Sequence, residues 1–234
     1  MMNDTKRKLW DDYESAHRIA ERCVPLFDAE DGRIALRPYG LDQRLVLKRS
    51  SEMERLMRDL GRKLIQEHGN SAVIHDGILY MMLARTGGDL KPLYIGKAEI
   101  YGKGDHNLSA NISDLASGDG KFGRWGYNYA YHLGDLSAVT CNGHKEEKKT
   151  IKYRAWSEKL FTIRDGNVFP NMEILFWATL WGGNSQSIWQ QYGHTKLAFE
   201  EYLVIGVASD VFPDSLLNRE GRTRQSTSMD NQNE

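Results

Sequence analysis

Residues 72–97, AVIHDGILYMMLARTGGDLKPLYIGK, place two apolar, aromatic runs on either side of a glycine-rich break. The first run (72–85) and the second (92–97) read as strands, and TGGDLK between them reads as the loop of a hairpin. Downstream lies a stretch full of Gly, Asp and Asn, with a short helix expected at 108–116. A densely aromatic segment follows at 122–133, FGRWGYNYAYHL. HKEEKK at 144–149 is a solvated charge run of the kind found in surface loops. YRAWSEKLF at 153–161 reads as a short helix, MEILFWATLW at 172–181 as a buried strand, and TKLAFEEYLVIGVAS at 195–209 as a helix. The polar tail after Arg222 is expected to be disordered.

Upstream of the hairpin, Leu9, Trp10, Tyr13, Ala16, His17, Ala20 and Val24 recur at three- and four-residue steps, which predicts a helix over 5–24. Between 26 and 49, Gly32, Pro38 and Gly40 punctuate two alternating runs, RIALR and RLVLK, which read as weak strands or a hairpin. A second helix begins at Ser51, which stands three residues before Glu54 as in a capping box. Met53, Leu56, Met57, Leu60, Leu64 and Ile65 line its apolar face, and Gly69 is its stop. Residues 1–70 thus read as a helical arm, suited to scaffolding or dimer contact ahead of DNA recognition.

Composition narrows the classes. The 234 residues are 40% hydrophobic and 27% charged, enough to build a core. Two cysteines, Cys23 and Cys141, make neither a disulfide framework nor a C-x-x-C zinc pattern. No apolar run approaches the ~18 residues of a membrane span. The N-terminus turns from basic to acidic with no hydrophobic stretch, so a cytoplasmic protein is expected. A net charge of −1 argues against indiscriminate coating of DNA, which needs a basic surface. It leaves room for a site-selective enzyme with a local basic cleft. The chain carries no G-x-S-x-G, no G-x-x-x-x-G-K-[ST] and no H-E-x-x-H, which argues against a small-molecule hydrolase or a nucleotide loop.

Leu93-Tyr94-Ile95-Gly96-Lys97-Ala98 closely matches half of the signature of the GIY-YIG nuclease superfamily, and the chain resembles that family over roughly 72–222. The other half, Gly77-Ile78-Leu79-Tyr80, has one residue interposed before the tyrosine. Either Tyr80 takes the tyrosine position, the reading favoured here, or Leu79 occupies it. The order strand, loop, strand, isolated arginine, strand, helix with an embedded carboxylate adds to the likeness. YIGKA and the N-terminal arm resemble the type II restriction branch more than the compact repair or homing modules. The resemblance implies an α+β fold: a small three-stranded antiparallel sheet flanked by helices over 71–222, with the arm at 1–70 and the tail at 223–234.

It also implies roles. Arg124, the only arginine between Arg85 and Arg154, would clamp the scissile phosphate, a task suited to a planar, permanently charged guanidinium. Stacking on Trp125 or Tyr127 is its structural alternative. Glu200 and Glu201 both precede aliphatic pairs at the family spacing. The residues three and four away from Glu201 are Leu197, Ala198, Val204 and Ile205, all apolar, whereas Glu200 has Lys196 among its neighbours. An acid on an apolar face needs a partner, so Glu201 is the expected metal ligand and Glu200 a solvated neighbour. Asn218, in FPDSLLN, would steady the site or serve as an ordinary turn residue. His132 would help activate water or pack as a core histidine, with Tyr127, Asn128 and Tyr131 lesser candidates. Lys97 would assist a tyrosine or bind phosphate, or simply be solvated.

The implied chemistry is hydrolysis of a phosphodiester in double-stranded DNA with Mg²⁺ (or Mn²⁺), which prefers oxygen ligands and keeps most of its waters. Tyr80 or Tyr94 would be the general base, the other orienting water and phosphate. A free tyrosine titrates near ~10 and needs nearby positive charge to serve at neutral pH. A symmetric target would imply a homodimer. The competing expectations are a DNA-binding module of the same fold that does not cut, a repair or defence nuclease without a fixed site, and a structural protein.

Overall fold

A computed structural model describes residues 2–102, 107–113 and 132–219. The elements run α1 (Met2–His17), α2 (Ile19–Arg22), β1 (Val24–Pro25), β2 (Ala29–Glu30), β3 (Arg33–Ile34), β4 (Leu36–Tyr39), β5 (Arg44–Leu47), α3 (Ser51–Gly69), β6 (His75–Thr86), β7 (Asp89–Glu99), α4 (Ala110–Ser113), α5 (His132–Thr140), α6 (Ile151–Leu160), β8 (Phe161–Arg164), β9 (Asn167–Pro170), β10 (Glu173–Gly182) and α7 (Leu197–Val211). The fold is mixed α+β with antiparallel sheets.

The principal sheet has the order β1–β10–β6–β7, antiparallel throughout. It therefore has four strands rather than the expected three. The addition is the two-residue β1, in which Val24 and Pro25 pair with Phe176 and Leu175. The β6–β7 loop is shorter than TGGDLK. Asp89 already pairs with Thr86, and only Gly87 and Gly88 turn, at φ 60° and 94°. That left-handed pair matches strand twist and is open to glycine without steric cost.

Each face of this sheet carries its own core. Ile78, Tyr80, Met82, Ala98, Phe176 and Ala178 point to one face and meet α3, α5 and α6 through Met57, Leu136 and Trp156. Leu79, Met81, Ile95, Leu175 and Trp177 point to the other and meet α1 and α7 through Trp10, Tyr13, Leu197, Val204 and Ala208. The alternation follows from the two-residue period of a strand.

Residues 1–70 contribute to both cores, with Trp10, Tyr13 and Ile19 on one side and Met53, Met57, Leu60 and Leu64 on the other. The helix expected over 5–24 breaks at Arg18, which adopts φ 51°, ψ 45° and splits α1 from α2. The cap of α3 is Ser50 rather than Ser51. Ser50 Oγ accepts from Met53 N at 3.0 Å, while Ser51 Oγ bonds its neighbour Glu52. Glu54 is drawn instead to the buried Arg49, 2.7 Å from its Nε. RIALR and RLVLK form three short strands. β4 and β5 pair as a hairpin, and β3 joins a second sheet of order β2–β3–β9–β8. The β8–β9 hairpin was not anticipated; it turns at Asp165 and Gly166, φ 50° and 74°. No helix among the described residues is long and apolar enough to cross a membrane. The tail at 223–234 lies outside the described residues.

Candidate functional site

The candidate site begins on β7, an edge strand. Its register with β6 places Tyr80 opposite Gly96 and Met82 opposite Tyr94, so both tyrosines occupy one face. Tyr80, not Leu79, shares the face of Tyr94; Leu79 belongs to the opposite core. The tyrosine rings lie 6.4 Å apart between centroids, and Tyr80 also stacks on Phe176 at 5.8 Å. Glycine between them has a steric cause. A Cβ at Gly96 would fall 2.6 Å from Tyr80 Cζ and Oη and 2.8 Å from Tyr94 Cε1. Gly96 is thus the gap that the two rings flank.

A β-bulge accompanies this arrangement. Met82 pairs with Tyr94 and Leu83 with Pro92, leaving Leu93 extra. Leu93 and Tyr94 consequently both reach the Tyr80 core, an example of a bulge re-aiming a side chain. Tyr94 is half-buried and packs on Trp156 of α6 at 5.2 Å. Lys152, also on α6, brings its ammonium over Trp156 (5.0 Å), Tyr153 (5.3 Å) and Tyr94 (5.9 Å). Sequence reasoning did not single out Lys152, because only the docking of α6 on β7 brings it to Tyr94.

Asn218 closes the outer edge of β7. Its Oδ1 accepts from Ile95 N, and its Nδ2 donates to Ile95 O, each at 2.9 Å. Leu217 N donates to Leu93 O at 2.6 Å. The chain after α7 thus acts as a short surrogate strand, with the amide side chain of Asn218 presenting one acceptor and one donor like a peptide unit. Asn218 is buried, which sets it apart from a solvated turn residue.

The other expected residues are distributed as follows. Lys97 pairs across the sheet with Leu79, on the face opposite the tyrosines, and its ammonium is 2.6 Å from Glu99 Oε1. It is therefore not a partner of Tyr80 or Tyr94. Arg124 lies outside the described residues, as do Trp125, Tyr127, Asn128 and Tyr131. His132 opens α5, and its side chain is likewise outside them. α7, which carries both glutamates, packs on the Lys97 face. The tyrosines and the glutamate-bearing helix thus belong to the cores on opposite faces of the sheet.

The expectation for Glu200 is overturned. Its side chain is 0% exposed. Oε1 accepts from Ile188 N (2.8 Å), and Oε2 accepts from Ser187 Oγ (2.7 Å) and Thr195 Oγ1 (2.6 Å). The neighbour rule failed because Lys196 turns away from it to Asp76 Oδ1, at 3.1 Å. The hydroxyls of Ser187 and Thr195 were the signal available in the sequence. Burial holds the Tyr13 hydroxyl well above the usual tyrosine range, and the Glu200 charge adds to that effect. Asp76 Oδ2 also accepts from Leu197 N at 3.3 Å, placing a carboxylate at the positive end of α7.

The three donors on Glu200 already occupy both of its oxygens, so a cation there would have to displace them. Glu201 is half-buried on α7, and a lone carboxylate is a ligand that Mg²⁺ accepts together with waters. Among the described residues there is no group of three or more His, Cys, Asp or Glu able to hold a metal. Compared with family models, curated proteins and solved structures, the chain gives no match.

Proposed function

We propose that the protein is a divalent-metal-dependent DNA endonuclease of GIY-YIG type, acting in the manner of a type II restriction enzyme on double-stranded DNA. The observation that carries this reading is the convergence of Tyr80 and Tyr94 over Gly96 on an edge strand held by Asn218. The antiparallel β7–β6–β10 order and the helix after the third strand support it. In this reading Glu201 would hold Mg²⁺, which supplies charge stabilisation for the leaving oxygen. Tyr94, half-buried at the edge, is better placed than the buried Tyr80 to deprotonate water. Lys152 takes over the charge role first assigned to Lys97, since a cation beside a phenol favours its ionised form. Arg124 would clamp the phosphate and His132 would assist. Two protomers would serve a palindromic target.

The experiment is plasmid nicking with Mg²⁺ and with EDTA. The wild-type protein should cut only with metal. Tyr94→Phe, Arg124→Ala and Glu201→Ala should each cut ~100-fold or more slowly. Cutting at wild-type rates by Glu201→Ala and Arg124→Ala would overturn the assignment. A second reading, a DNA-binding module that does not cut, is favoured by the burial of Tyr80 and by the placement of α7 on the face opposite the tyrosines. It predicts tight DNA binding without nicking.

A further inference from the structure

Four aromatic side chains stand exposed on one surface: Trp189 (44%), Tyr192 (56%), Phe199 (42%) and Tyr202 (54%). Trp189 and Tyr192 are 5.4 Å apart between centroids and inclined by 30°, and Tyr192 and Phe199 are also 5.4 Å apart. Tyr202 follows Phe199 by three residues on α7, the spacing of helix-surface neighbours. Trp189, Tyr192 and Phe199 thus form a row from the 183–196 loop to the first turn of α7, and Tyr202 is exposed on the next turn.

The loop is held rigidly from beneath. Glu200 accepts from Ser187 and Ile188 just before Trp189 and from Thr195 just after Tyr192. Trp181 Nε1 donates to Thr195 O at 2.8 Å. A buried carboxylate is costly unless donors satisfy it, and here all three of its donors come from the loop that displays the rings.

The surroundings point to the ligand. The loop at 183–196 contains no Asp or Glu in a chain that has 32; of the two acids between Phe199 and Tyr202, Glu200 is buried and Glu201 half-buried. The exposed polar groups beside the rings are the amides of Asn184, Gln190 and Gln191, with His194 and Lys196. Rings at half exposure offer stacking surfaces to bases, and amides offer hydrogen bonds to base edges. The four rings present on the order of 400 Å², about half of the ~800 Å² per partner in a standard protein interface. A second copy of the chain is therefore the poorer occupant.

We infer that Trp189, Tyr192, Phe199 and Tyr202 form a preorganised stacking platform for unpaired bases of a nucleic-acid strand. This goes beyond the nuclease reading, because a protein that binds without cutting would use the same surface.

The test is fluorescence anisotropy in EDTA with two labelled strands of equal length, oligo-dT and its abasic counterpart, which has the same phosphates but no bases. The wild type should prefer oligo-dT. Trp189→Ala and Tyr192→Ala should each weaken oligo-dT binding at least about fivefold while leaving abasic binding unchanged. Phe199→Ala serves as a third variant should either of these melt early. Equal binding of the two strands by the wild type would overturn the platform, as would unchanged oligo-dT affinity in folded variants. So would a wild-type dimer that Trp189→Ala and Tyr192→Ala convert to monomer with no change in oligo-dT affinity. A protein that nicks plasmid yet ignores bases would fail this inference and keep the nuclease reading. One that stacks bases but never nicks would do the reverse.

Discussion

The side-chain amide of Asn218 bonds both backbone polar groups of Ile95, 123 residues earlier in the chain, at 2.9 Å each. Ile95 is fully buried, so water cannot replace either bond. Asn218→Ala should cost about 2–4 kcal/mol and lower the melting temperature by on the order of 5–10 °C, as read by calorimetry. Asn218→Asp should do no better, because its second oxygen would face Ile95 O. A melt unchanged in Asn218→Ala would show that the clasp is dispensable.

Glu200 is the second buried polar anchor. Glu200→Ala leaves Ser187 Oγ, Ile188 N and Thr195 Oγ1 without their acceptor. The expected loss is about 2–4 kcal/mol, since bonds to a charged group are worth more than neutral ones. Urea unfolding gives the number, and a midpoint within error of wild type would contradict the network.

Gly96→Ala should destabilise through crowding. Tyr80 cannot swing clear of the new methyl group, because its ring is buried against Phe176. Overpacking of this kind costs about 1–3 kcal/mol. In a double-mutant cycle, Tyr80→Ala should relieve part of that loss. Additive effects would mean that the two residues do not collide.

Two histidines contribute to the acid side of stability. Burial lowers the pKa of His17, which sits against Tyr13 at 4.3 Å and meets Gln186 O at 2.8 Å. Burial also lowers that of His144, which meets Leu45 O at 2.6 Å. A depressed folded pKa means that the unfolded chain binds more protons just below the ordinary histidine value of ~6.5. Stability is then fully present above that pH and declines as pH falls through the lowered folded value. Melting temperature should fall between pH 7.5 and 5.5. His17→Phe should flatten that slope even if it lowers the melt at pH 7.5. An equal slope would assign the dependence to other groups.

Much of the fold was legible because its strongest elements are periodic. Strands β6, β7 and β10 and helices α3 and α7 lie where apolar spacing put them. Less legible features arise where a partner distant in sequence decides. Arg18 breaks the first helix although the apolar spacing runs on to Val24. Ser50 displaces Ser51 as the cap of α3, helped by a bond to Pro25 O. The β8–β9 turn at Asp165-Gly166 carried a recognisable signal, since Asp-Gly favours a two-residue hairpin, but its flanking strands are only four residues each. In the site, Tyr80 and Tyr94 share one face and Asn218 bonds the β7 edge, all three being residues singled out in the sequence. Lys97 was misplaced because strand parity, not adjacency to YIG, decides its face. Glu200 was misjudged because counting helical neighbours omits a loop that folds back with two hydroxyls.

Strand β6 is flanked by β10 on one side and β7 on the other and is covered on both faces. Its central amides, from Ile78 to Leu83, have no route to solvent through fraying or a local opening of one layer. In deuterated buffer they should be the last to exchange, at a rate set by unfolding of the whole molecule. That makes this strand an internal gauge of global stability, against which local opening elsewhere in the molecule can be measured in the same sample.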